Sequence, residues 1–162
     1  MVTWLAPFLK DVQARPEIVI SFYLSLFFVS FTFGRLLASF IVERLGYYNF
    51  LIYTQIAAVF VIAAAIIGGE SLTFLLSISG IFLAVQVPTS QAAILDSFGE
   101  SGIKVVGFAQ TAGTLGAAFL SNWVVGLIND LFGVSSSFLV IIFLIFILFG
   151  ITLYLKRLVN YR

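Results

Sequence analysis

The sequence predicts an all-α integral membrane protein, and three observations carry that prediction. Of the 162 residues, 62% are hydrophobic. Only 9% are charged, where a soluble domain carries about a quarter, so solvated side chains cannot cover the surface and lipid must. Charged residues cut the chain into apolar runs, and about 20 such residues at 1.5 Å each cross a hydrocarbon core of about 30 Å.

The same composition excludes other functions. No cysteine is present, which removes disulfides, thiolate metal sites and cysteine nucleophiles. No histidine is present, which removes the commonest general base and metal ligand. A net charge of +1 offers no polybasic surface to nucleic acid. With no catalytic pair of acids either, the chain reads as a non-enzyme without cofactor or metal, solvated by the lipid bilayer.

Met1 to Leu9 is apolar but too short to span. It ends Trp-Leu-Ala-Pro-Phe-Leu before Lys10-Asp11, like the last turns of a helix leaving the membrane. The expectation is the end of a truncated first helix over residues 1–10. A short interfacial segment anchored by Trp4 is the other reading, since tryptophan favours that zone. The second helix is expected over 16–42, opened by Pro16, whose missing N–H would be unpaired in a first turn anyway. The third covers 47–67 and stops at Gly68-Gly69. The fourth covers 71–95, the fifth 103–128 and the sixth 135–155. Residues 1–162 thus form a single transmembrane domain with five full spans.

Lysine and arginine placement sets the orientation. One side holds Arg44, Lys104, Lys156, Arg157 and Arg162, with Arg35 nearest it; the other holds Lys10 and Arg15. The basic-rich side, with the loops 43–48 and 96–102 and the C-terminus, is therefore expected in the cytoplasm of a cell bounded by this plasma membrane. The loops 10–17, 68–71 and 129–134 are expected outside.

Polarity separates the helices. The sixth is apolar all round, and the third nearly so apart from Thr54 and Gln55, so both are expected to face lipid. The fourth carries Gln86-Val-Pro88-Thr89-Ser90-Gln91. Pro88 has no N–H for the carbonyl of Ala84, and a helix broken at that depth is tolerated where protein or a water-filled cavity satisfies the freed group. Ser79, Gln86, Thr89 and Ser90 share one face. Gln86 can line a cavity or bond neighbouring helices, and both readings stay open. On the fifth helix Ala109, Gly113 and Ala117 recur at intervals of four, as do Ala112 and Gly116, and small residues so spaced let helix backbones approach closely. Gln110, Thr114 and Ser121 lie along its other face.

The second helix holds the one intramembrane charge. Arg35 lies nine residues before Arg44, about 13 Å inside that end at helical rise. Such a charge signals a function or a buried partner, with Asp96 a candidate. Snorkelling to the headgroups is the alternative.

The turn after this helix reads Gly34-Arg35-Leu-Leu-Ala-Ser39-Phe-Ile-Val-Glu43-Arg44-Leu-Gly46. Ser39-x3-Glu43-x2-Gly46 is echoed by Gly126-x3-Asp130-x2-Gly133 at the end of the fifth helix, on the opposite side, as an inverted three-helix repeat would produce. The first copy resembles the loop motif of the major facilitator superfamily, Gly-x3-Asp-Arg-x-Gly followed by basic residues. Glu43, Arg44 and Gly46 match in type. Ser39 replaces the glycine, and Tyr47-Tyr48 replace the basic pair. The whole chain is similar to the C-terminal six-helix half of that superfamily, with its seventh helix truncated. Phe82-Leu-Ala-Val-Gln86-Val-Pro88-Thr89 looks like the tenth helix of fucose-permease-like sugar:proton symporters.

The resemblance implies half of a major-facilitator-type bundle, working as part of a secondary active, ion-coupled transporter by alternating access. The substrate would be a small solute, with a sugar among the candidates. Arg35, Gln86, Pro88, Thr89, Gln110 and Thr114 are the expected cavity residues. Ser39, Glu43, Arg44 and Gly46 form the loop motif, whose acid and arginine would latch one conformation. Gly113, Gly116 and Ala117 are expected to pack helices. The proton-carrying acids of the symporter branch sit in the N-terminal half, so a separate N-terminal half or a second copy is an expected partner. The alternative is a non-transporting membrane scaffold or assembly protein, or an inactive truncated fragment.

Overall fold

A computed structural model of the chain describes residues 2–160. Met1 of the first segment and Arg162 of the basic-rich side lie outside the described residues. The described residues contain helices and no strand. They are α1 (Val2–Pro7), α2 (Glu17–Leu45), α3 (Tyr47–Ile67), α4 (Gly69–Phe98), α5 (Glu100–Phe132) and α6 (Ser136–Asn160). Five of them, α2 to α6, are long and apolar enough to cross a membrane.

Helix ends follow backbone chemistry more than the limits of the apolar runs. α2 continues through Glu43 and Arg44 because charged side chains do not interrupt a helix, and it stops at Gly46. Gly46 adopts φ 76°, ψ 151°, a region that residues with a Cβ avoid. α5 likewise starts at Glu100 and runs on to Phe132, beyond the apolar stretch 103–128.

The first segment is helical and packs into the core. α1 runs on into a π-helical turn, Phe8–Val12. Leu5 and Leu9 are wholly buried, and Phe8 stands edge-on to Phe138 of α6 at 4.9 Å. Trp4 is half-buried, with its Nε1 buried and without a partner. The main core joins these residues to Phe27 of α2, Ala58 and Ile62 of α3, and Leu76 of α4.

α4 is interrupted. A 3-10 turn (Gly69–Leu72) leads to short helical pieces, Phe74–Ile78 and Gly80–Leu83, and then to Gln86–Phe98. The last gap, Ala84-Val85, lies one turn before Pro88, where the proline withdraws its N–H. α2 crosses this broken helix at close range. A Cβ on Gly34 would fall on the Ile81 carbonyl oxygen and 2.7 Å from Ile81 Cα. One on Gly80 would lie 2.8 Å from the Phe27 oxygen. The close helix approach within the chain is thus between α2 and α4. A Cβ on Gly113 or Gly116 of α5 would meet nothing within 4 Å, and Ala117 is exposed, so these small residues make no close helix contact among the described residues.

Candidate functional site

The contact of α2 with the break in α4 opens a cavity of about 470 Å³, walled by α2 and α4 and reached by the first residue of α3 and by α5. Five of the residues singled out from sequence line it: Arg35 and Ser39 from α2, Pro88 and Thr89 from α4, and Gln110 from α5. Gln91 and Tyr47 line it too, and sequence reasoning missed both as site residues. Gln91 lies three residues after Pro88, on the same helical face, and that spacing was the available signal. The Gln91 amide donates to Gln110 Oε1, which ties α4 to α5.

Arg35 takes the carbonyl that Pro88 frees. Its Nε donates to the Ala84 oxygen at 3.4 Å, and its guanidinium carbon sits 4.7 Å from the Phe31 ring centroid. Both contacts hold the charged head at the level of the break. Arg35 is itself exposed, and these two contacts tie its head to the α4 backbone beside Ala84. The Asp96 partnership is corrected. α2 and α4 do touch, but Asp96 is exposed, and the ion pair among the described residues is Arg15–Glu70 on another loop.

Gln86 and Thr114 fall outside this cavity. Gln86 Nε2 donates to Thr54 Oγ1 at 3.0 Å and to the Phe82 oxygen at 3.1 Å. Its Oε1 accepts from Gln55 Nε2 at 3.2 Å, which also donates to Thr152 Oγ1 at 3.1 Å. Gln86 therefore joins α4 to α3, and Gln55 carries the network on to α6. It also borders a smaller cleft of about 210 Å³ between α4 and α5, which shares Gln91 and Gln110 with the main cavity. The Thr114 hydroxyl bonds its own helix at Gln110 O, 2.8 Å away.

The loop motif acts through its backbone and its tyrosines. Glu43 and Arg44 form no ion pair among the described residues, so the expected latch is not made within these helices. Gly46 N–H closes α2 on Val42 O at 2.9 Å. Tyr48 hydroxyl lies 3.2 Å from Ser97 Oγ, pinning the turn to the end of α4. At the opposite end, Gln13 Nε2 donates to Thr73 Oγ1 at 2.6 Å and Arg15 pairs with Glu70 at 3.1 Å.

A family model described as the Major Facilitator Superfamily matches residues 1–160. No curated protein and no solved structure matches the chain.

Proposed function

The chain belongs to the Major Facilitator Superfamily, and from that premise we propose that it forms one side of a secondary active transporter for a small polar solute. The superfamily is one of transporters, not enzymes. The observation that carries the proposal is the cavity itself. Polar groups from α2, α4 and α5, far apart in sequence, converge beside a broken helix. Transporter sites are built from such interrupted helices, which offer backbone groups and dipole ends to a solute.

In this reading α2, α4 and α5 line the path, while α3 and α6 brace it from the lipid side. A second six-helix body, from a separate N-terminal half or a second copy, supplies the facing wall, and rocking of the two exposes the cavity to each side in turn. The Gly46 end and the C-terminus face the cytoplasm, on the lysine and arginine bias, in a multi-pass plasma-membrane protein. The hydroxyls and amides of Ser39, Thr89, Gln91 and Gln110 suit a hydrogen-bonding solute, a sugar included. Among the described residues no carboxylate lines this cavity.

The chain has no cysteine, which makes a single introduced thiol a clean reporter. Ala92→Cys, in the cavity lining, should react with a membrane-impermeant maleimide added to the cytoplasmic face. Phe143→Cys, on the exposed face of α6, should not. Equal inertness of the two would mean the cavity holds no water path, and the transport reading would fail with it.

A further inference from the structure

We propose that the transported solute is a monoanion of monocarboxylate type, and that Arg35 holds its charged group. This rests on the transport reading and names its solute class.

Among the described residues Arg35 is the one charged side chain lining the cavity. A guanidinium does not lose its proton in a protein, so the charge is permanent. Among the described residues no carboxylate pairs with it. Nε is committed to Ala84 O. The remaining N–H groups, on the two terminal nitrogens, have no acceptor among the described residues, and they form the planar fork that matches a carboxylate. The Ala84 carbonyl and the Phe31 ring fix the orientation of that fork. The helical piece Gln86–Phe98 begins at the same break and adds the positive end of its dipole to the Val87–Thr89 wall. Thr89, Gln91 and Gln110 are placed to bond a hydroxyl or keto group carried by the same solute.

Charge balance selects the class. Closing the cavity with Arg35 unpaired would bury an isolated charge, which is costly. A neutral sugar leaves that cost in place. A dianion reverses its sign. A monoanion cancels it, so the loaded site is the one that closes most readily.

The test uses Ala92→Cys in the complete assembly in native membranes, with the maleimide rate as readout. The probes are acetate, pyruvate, L-lactate, inorganic phosphate and glucose. At least one monocarboxylate should slow labelling. Arg35→Gln should raise the concentration for half-protection by about 30-fold or more, as expected when one partner of a charged hydrogen-bonded pair is removed. Arg35→Lys should retain part of the protection, because the charge survives while the fork is lost. Protection by glucose alone would overturn the monoanion and leave the transport reading standing. Protection by phosphate above every monocarboxylate would overturn the monocarboxylate assignment. Protection by none of the probes while the introduced thiol reacts, or protection that persists unchanged in Arg35→Gln, would overturn the role of Arg35. An introduced thiol that never reacts would sink the transport reading first, and this inference with it.

Discussion

Gln55 and Gln86 are each legible in the sequence as polar residues in apolar helices, but nothing local says that they bond each other. Their partners lie on three helices, and the Gln55–Thr152 bond spans 97 positions. In lipid a polar side chain without a partner has no water to fall back on, so such groups find one another. The amide donors meet acceptors here, and Gln55 Oε1 is left buried without a donor. We expect Gln86→Leu to lower detergent stability by about 1–2 kcal/mol, the upper range for interhelical hydrogen bonds in membranes. A thermal unfolding midpoint equal to that of the unmodified chain would remove the network from the forces holding α3, α4 and α6. Arg35 shows the same limit of local reading. Pro88 announces that Ala84 O needs a donor; only the crossing of α2 over α4 reveals that the donor is Arg35.

Among the elements, the echo between the ends of α2 and α5 becomes a backbone fact. Gly46 adopts φ 76°, ψ 151° and Gly133 adopts φ 84°, ψ 161°. Each donates its N–H four residues back, to Val42 O at 2.9 Å and Asn129 O at 2.8 Å. The shared glycine is therefore required at both turns for one steric reason, while the acid before it has no ion-pair partner among the described residues. Alanine at either position should cost about 1–3 kcal/mol, the range for residues forced into sparsely populated backbone regions. Equal stability of Gly46→Ala and the parent in a denaturation series would count against this. The close crossing of α2 and α4 was also within reach of the sequence. Ser30, Gly34 and Ala38 recur at intervals of four and are all buried, yet the same spacing stands out more in α5, where it meets open space. Spacing identifies a face able to pack; it does not say which helix will occupy it. Gly34→Ala should cost about 1–3 kcal/mol by overpacking against the Ile81 backbone, read as a lowered unfolding midpoint in detergent.

For the molecule as a whole, α5 is the spanning element that the rest of the chain covers least: 6% of its membrane-spanning window is buried, against 44% for α4. No α5 residue belongs to the core clusters, which draw on α1, α2, α3, α4 and α6; Gln110 reaches α4 through Gln91, while Gly113 and Thr114 are exposed. A helix that buries so little in its own chain can be held there by lipid alone, and then Gly113 would tolerate any apolar residue. If instead α5 faces the second six-helix body of the transport reading, Gly113 allows a close backbone approach that a larger side chain would block. The two situations separate cleanly, because, its own helix backbone aside, no atom of the described residues lies within 4 Å of a Cβ at Gly113. Gly113→Leu should leave the unfolding midpoint of the chain itself within about 0.5 kcal/mol of the parent, as for surface changes away from packed features. The particle mass in mild detergent should nevertheless fall from that of an assembly to that of the chain alone. A mass unchanged by the substitution would place the second body elsewhere, and a fall in the chain's own stability would mean that α5 packs within the chain after all. Gly34→Leu serves as the internal contrast, since its backbone clash with Ile81 should destabilise the chain whether or not a second body is bound.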